Sequence, residues 1–100
     1  AVLKKECQSL FKNLQIYLGK YDAFPAFFDP CERPRPEIVT AFLSDALVDI
    51  YWDIKKGFLL YLQGNVEEAI LSWKTTFAYH WGVHLTQALN VIHCLVYLHT

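Results

Sequence analysis

The sequence predicts an all-α fold: a compact bundle of about four helices, one pair of which looks like a tetratricopeptide hairpin. Three observations carry this. Apolar residues recur at steps of three and four over most of the chain. The four prolines all fall within one stretch, DAFPAFFDPCERPRP at 22–36. No period-2 alternation of useful length stands out, so no sheet is expected. One hundred residues make a single domain, 1–100.

The first helix is expected over 2–21, where Leu3, Cys7, Leu10, Leu14, Tyr17 and Tyr21 mark one face. Residues 22–36 follow as a proline-rich connection, because proline lacks the helix N–H and restricts its predecessor. Phe24, Phe27 and Phe28 suggest that it packs over the core. The second helix is expected from Pro36, a residue suited to a first helical position, with Glu37 in the first turn. It runs to about Leu62 and stops at Gly64. A third helix is expected over 66–80 and a fourth over 83–99. Run together they would extend about 50 Å, long for a small domain. Gly82 is therefore expected to place a turn or sharp kink between them. Gly57, Gly64, Ala69 and Trp73 resemble the small and large positions of a tetratricopeptide hairpin. Only one such unit is present, too few for a repeat array.

Composition excludes several functions. The net charge is −1 and the basic residues are scattered, which argues against nucleic-acid binding. No run approaches the ~18 apolar residues of a membrane span, and AVLKKECQSL is not a signal peptide. Cytoplasmic location is the default. Cys7, Cys31 and Cys94 form no C-x-x-C pair, and reduced thiols are expected, with Cys7 and Cys94 buried. The hydrophobic fraction of 54% exceeds the usual share of about 45–50%. Two explanations stay open. The surplus meets a protein partner, most simply a second copy of the chain. Or the chain, which has no methionine, begins inside a longer protein and lacks a helix at its front; native residues absent from 22–36 are a related option.

One candidate site emerges. Asp45, Asp49 and Asp53 stand at steps of four on the second helix, each rotated only ~40° from the last, so they form a carboxylate ladder. It is a solvated edge, a set of partners for another helix, or a site for a cation or a basic partner. HWGVH at 80–84 sets His80 and His84 four residues apart. With Asp49 or Asp53 they would make a mixed imidazole–carboxylate set suited to a divalent metal such as zinc, iron, manganese or nickel. The alternative is structural histidine–aspartate hydrogen bonds, which bring the same residues together. Convergence of all ligand atoms on one point would favour the metal; hydrogen bonds that consume them would disfavour it. Trp52 and Trp81 flank the site as core residues or pocket walls. His93 is expected in the core, and His99 near the terminus is expected to fray. No nucleophile motif or glycine-rich phosphate loop is present, so no catalytic residue is named.

Residues Leu43 to Leu95 resemble an uncharacterised bacterial family, domain of unknown function 5063. Its members carry a segment like L-A-D-D-L-A-D-I-Y-R-D-L-K, then G-L, G-x-x-E-D-A, W and F-x-x-H-W-G-R-H, then A-L. Here these read LSDALVDIYWDIKKG, GNVEEAI, SW, FAYHWGVH and QALNVIHCL. Asp45, Asp49, Asp53, His80, Trp81, Gly82 and His84 fall on the family positions. Ala46 replaces the second aspartate of D-D, Trp52 stands for an arginine, and Val83 replaces the arginine of H-W-G-R-H. The resemblance implies further N-terminal sequence in family members and no assigned activity. The leading expectation is a small non-enzymatic helical interaction module of the bacterial cytoplasm that self-associates or docks a protein. The rival is a metal-binding protein or metal-dependent enzyme using His80, His84, Asp49 and Asp53.

Overall fold

The computed structural model describes residues 2–99. Helix α1 spans Val2–Leu18 and ends in a 3-10 turn, Gly19–Tyr21; strands β1 (Ala23–Phe27) and β2 (Ile38–Phe42) follow. Helix α2 is Leu43–Leu62 and α3 is Val66–Thr76; a π-helical turn, Phe77–Trp81, joins α3 to α4, Gly82–Tyr97. The domain is mostly helical, with one small antiparallel hairpin.

The hairpin corrects the expectation of no sheet. Residues 38–42, IVTAF, were assigned above to the start of the second helix. Three β-branched residues in sequence favour an extended chain, and a partner strand lies just upstream. Phe24 pairs with Ala41 and Ala26 with Val39, and these four are the half-buried positions of the two strands. Five-residue alternation is short enough to pass for half a helical stripe, which is why it was missed. Phe24 packs against the core as expected, whereas Phe27 and Phe28 are exposed.

Helix α2 consequently starts at Leu43, not Pro36, and its cap comes from outside its own sequence. Buried Asp22 accepts hydrogen bonds from the Ser44 N–H (2.7 Å) and the Ser44 hydroxyl (2.8 Å), while its carbonyl accepts one from the Leu43 N–H (2.8 Å). The first donors of a helix need such acceptors. The other end stops where expected. Gly64 takes the left-handed conformation (φ 86°), the Gly64 N–H bonds the Tyr61 carbonyl and the Asn65 N–H bonds the Leu60 carbonyl, a Schellman closure. In α1 the expected stripe holds through Leu3, Cys7, Leu10 and Leu14. Leu18, four residues after Leu14, then continues it against the core, whereas Tyr17 and Tyr21 face outward; Gly19 (φ 52°) ends the helix before Tyr21.

Helix α2 is the central element. Leu43 and Ala46 are buried with Ala88 of α4, and Leu18, Phe24, Leu47, Ile50, Val91 and Leu95 pack around them. Toward its other end, Gly57 lies directly under Trp73 of α3, where a Cβ would overlap the indole. The Trp73 Nε1–H donates to the Ile54 carbonyl at 3.0 Å. On the opposite side α1 leans on α2, and the Tyr51 hydroxyl donates to the Glu6 carboxylate at 2.6 Å.

No turn breaks the chain at Gly82; the irregularity expected there is the π-helical turn Phe77–Trp81 just before it. Gly82 has ordinary helical angles (φ −65°, ψ −40°), and its N–H bonds the Phe77 carbonyl across a wide turn. The chain continues as one helical rod from Val66 to Tyr97, antiparallel to α2. His93 lies exposed against the Tyr97 ring, centroids 4.8 Å apart, and is not a core residue. Cys7 is buried as expected; Cys94 is half-buried and Cys31 exposed. The body measures 43 × 35 × 24 Å with a radius of gyration of 15.4 Å, against about 13 Å for a tightly folded chain of this length.

Candidate metal centre

The ladder of α2 faces the histidines across one helix–helix seam. The side chains of Asp49 and Asp53 project from successive turns of α2, and those of His80 and His84 from successive turns of the antiparallel rod. His84 Nε2 lies 3.1 Å from Asp49 Oδ2, and His80 Nε2 lies 3.6 Å from the same oxygen. The two imidazoles meet edge to face, with centroids 5.0 Å apart at 87°. One ligand atom from each of Asp49, His80 and His84 falls within 4.8 Å of the other two.

Asp53 does something different. It accepts a hydrogen bond from His80 Nδ1 at 2.5 Å. Its side chain is 8% exposed, against 44% for His80, 30% for Asp49 and 25% for His84. Asp53 thus anchors His80 from inside and leaves Nε2, the other ring nitrogen, toward Asp49. The proton on Nδ1 follows from the acceptor Asp53 provides. A carboxylate on the remote nitrogen of a metal-binding histidine fixes its tautomer and orientation and raises its basicity. The histidine–aspartate pairing of the structural alternative is therefore present: the His80–Asp53 bond leaves Nε2 of His80 open, whereas the 3.1 Å approach of His84 Nε2 to Asp49 Oδ2 suits an ion pair and a shared metal alike.

The surroundings of Asp49 hold back its ionisation. The Asp49 carboxyl is pushed above the ordinary aspartate range, first by partial burial and then by the Asp45 charge; His84 and His80 pull it back down, and Asp53 adds a smaller upward push. Ionising Asp49 here is costly without added positive charge.

The remaining candidates do not converge on the cluster. Asp45 is exposed and, with Trp52, borders a hollow of about 490 Å³ between α1 and α2, beside Cys7, Phe11 and Val48. Trp81 packs edge-on against Phe77 (centroids 4.7 Å) and donates its Nε1–H to the Trp73 carbonyl at 3.1 Å. It braces the wide turn and does not wall the site. Two supporting features were missed from sequence. The π turn carrying His80 leaves only a slip in the spacing of buried residues as its signal. The Asp22 cap on α2 has no local signal, because the pair is 22 residues apart.

Fold and site together define a small, mostly helical domain with a clustered aspartate–histidine triad capable of coordinating a metal ion. The family described as domain of unknown function (DUF5063) matches residues 3–98, and the chain belongs to it. No curated protein and no solved structure matches. Among the described residues no helix is long and apolar enough to cross a membrane.

Proposed function

We propose that this domain binds one divalent transition-metal ion in the seam between α2 and the α3–α4 rod. Asp49 Oδ2, His80 Nε2 and His84 Nε2 are the ligands, and Asp53 is the anchor behind His80. The observation that carries this is the spacing of both imidazole Nε2 atoms from one carboxylate oxygen, 3.1 and 3.6 Å. Bonds of about 2.0–2.1 Å to a tetrahedral ion put neighbouring ligand atoms about 3.3–3.4 Å apart; the two Asp49 distances match this, and the imidazoles, whose ligand atoms lie within 4.8 Å of each other, would close on the ion. The ion would also favour the ionised form of Asp49, which burial first and the Asp45 charge second disfavour.

Three protein ligands leave a position for water. Closed structural zinc sites use four, whereas sites that do chemistry keep one open. Two histidines and one carboxylate also form the set that holds non-haem iron(II). Zinc and iron are thus the favoured ions, and metal-assisted hydrolysis or oxidation are the reaction classes to screen once binding is established.

The direct test is calorimetric titration of chelator-treated, tag-free protein with Zn²⁺ and Co²⁺, beside elemental analysis of the protein as purified. The expected result is one ion per chain, with affinity at least ~100-fold weaker in His84→Ala. Absence of binding by the wild type sinks the metal assignment.

A separate observation favours protein docking alongside metal binding. Ile16 and Tyr17 of α1, Phe28 beside the hairpin, Leu62 and Leu71 at the α2–α3 end and Tyr97 and Leu98 at the end of α4 are all exposed. An apolar hollow of about 540 Å³, lined by Phe24, Phe27, Phe28, Ile38, Val83 and Val91 among others, opens between the hairpin and α4. A contiguous apolar hollow of this kind suits an association surface, and the Gly57–Trp73 hairpin is the part resembling a protein-binding repeat. Light scattering across a dilution series tests self-association; a strict monomer at all concentrations counts against a second copy as the partner.

A further inference from the structure

The helical rod from Val66 to Tyr97 carries two inward faces that a plain α-helix cannot align. Before the π turn Ala69 is buried, with Ser72, Trp73 and Thr76 half-buried; beyond Gly82 the buried position is Ala88, with His84, Leu85, Gln87, Val91, Cys94 and Leu95 half-buried. Thr76 and Ala88 are twelve residues apart. At 100° per residue an α-helix would leave Ala88 about 120° off the face of Thr76. A π turn takes in one extra residue, which reduces the mismatch to about 20°. The bulge therefore lets both α3 and α4 keep a face on α2.

The bulge depends on Gly82. Its N–H makes the wide-turn hydrogen bond to the Phe77 carbonyl. A Cβ at this position would overlap that carbonyl oxygen and touch the Phe77 ring. Gly82 is buried and has helical angles, so its backbone conformation asks nothing of glycine. What the position requires is the missing side chain. The turn that closes on this bare Cα is also the one holding His80, between its bond to Asp53 and its approach to Asp49.

We infer that Gly82 is a positioning residue of the metal centre: its bare Cα lets Phe77–Trp81 close as a π turn, and that turn sets His80 between Asp53 and Asp49. The inference rests on the metal assignment of the preceding section. The π turn then holds a ligand in place at some cost in helix regularity, a pattern common at functional sites.

The test compares wild type, Gly82→Ala and a chain with exposed Ala78 deleted, using Co²⁺ as the probe and reading its visible absorption. Deleting Ala78 removes the extra residue, so a plain α-helix aligns Thr76 with Ala88 by itself. That variant is expected to fold with an apo melting temperature at or above wild type. His80 is turned from its place, and Co²⁺ affinity is expected to fall at least ~10-fold, as for loss of a supporting residue. Gly82→Ala is expected to lose affinity by a similar factor. Wild-type affinity in either folded variant overturns the inference and leaves the metal assignment standing. Failure of wild type to bind Co²⁺ removes the metal assignment and the inference with it. A measurement on wild type alone holds even if both variants misfold. Co²⁺ binding is expected to slow amide hydrogen exchange at Gly82 at least ~10-fold relative to Ala69, because coupling between turn and metal is reciprocal. Unchanged exchange at Gly82 with the metal bound overturns the inference.

Discussion

Helix α2 meets the antiparallel rod in two unlike ways. At its C-terminal end Gly57 lies flush under Trp73, and the indole N–H is satisfied by the Ile54 carbonyl. That contact is closed: a large side chain fills the space a small one leaves. One and two turns away, Asp53 and Asp49 face His80 and His84, and the seam is polar. One end is optimised for packing. The other tolerates like charges one turn apart, a half-exposed histidine and an irregular helical turn. Local features that lower stability persist where function needs them, so the contrast points to the polar half of the seam as the working half.

The contrast can be broken from either side. The largest effect is expected at the polar end. Asp49→Asn should weaken zinc binding by more than ~100-fold, since a ligand and not a supporting group is lost. It should leave the apo melting temperature unchanged or higher, because a charge crowded by Asp45 is gone. A drop in apo stability with metal affinity intact would reverse the assignment of the two halves.

Next comes Gly57→Ala at the closed end. Overpacking a tight contact costs about 1–3 kcal/mol, and the Trp73 hydrogen bond is strained as well. In a domain of this length that corresponds to a melting temperature lower by roughly 10 °C. Zinc affinity of the folded variant should stay within a few-fold of wild type, as expected for separate sites. Thermal unfolding and calorimetry on one preparation read both quantities.

Asp53→Asn sharpens the distinction between ligand and anchor. Loss of a carboxylate behind a metal-binding histidine costs about 10–100-fold in affinity. Asp53→Asn should therefore bind zinc more tightly than Asp49→Asn does. Equal losses in competition titrations would make Asp53 a ligand.

Acid titration gives a smaller effect with a defined sign. The folded pKa of Asp49 is raised, so the folded chain holds this proton more tightly than the unfolded chain. The associated stability is present below the ordinary aspartate pKa and is lost as pH rises through the folded value. Apo wild type should thus lose stability relative to apo Asp49→Asn across that window, with a constant difference above it. Melting temperatures from pH 3 upward, in steps of about half a unit, follow this. A gap that narrows with rising pH would contradict it.

The smallest expected effect concerns the thiols. Burial, with help from Glu6 and Asp49, pushes the Cys7 thiol up, while Cys31 is exposed. Less thiolate and less access make Cys7 slow. Cys31 should react first with a maleimide at neutral pH, and mass spectrometry of early digests should find the label there. Early labelling at Cys7 would mean that α1 separates from α2 readily.

Much of the fold was legible because helical signals are local. The stripe from Leu3 to Leu14, the stop at Gly64 and the one-turn spacing of Asp49–Asp53 follow from a period of 3.6 and from glycine's freedom at Gly64; the small–large pair Gly57 and Trp73 was legible from its likeness to a repeat hairpin. Ile38–Phe42 was misread because five residues of alternation are ambiguous until the partner strand at Ala23–Phe27 is paired with them. Gly82 was misread for a different reason. Glycine suits both a left-handed helix end and a close backbone approach, and residue order does not distinguish the two.

The amino-acid sequence by itself determined a mostly helical chain, and it placed the acids on one helix and the imidazoles on either side of an expected break. Each depends on neighbours within a turn or two, where backbone geometry dictates which residues share a face. Only the tertiary structure decided that Asp22 caps α2, that the rod runs unbroken through a π turn, and that Asp53 takes Nδ1 of His80 while Asp49 faces both Nε2 atoms. These depend on the angle, depth and phase at which separate elements pack, and a shift of one residue along a helix turns a side chain by 100°.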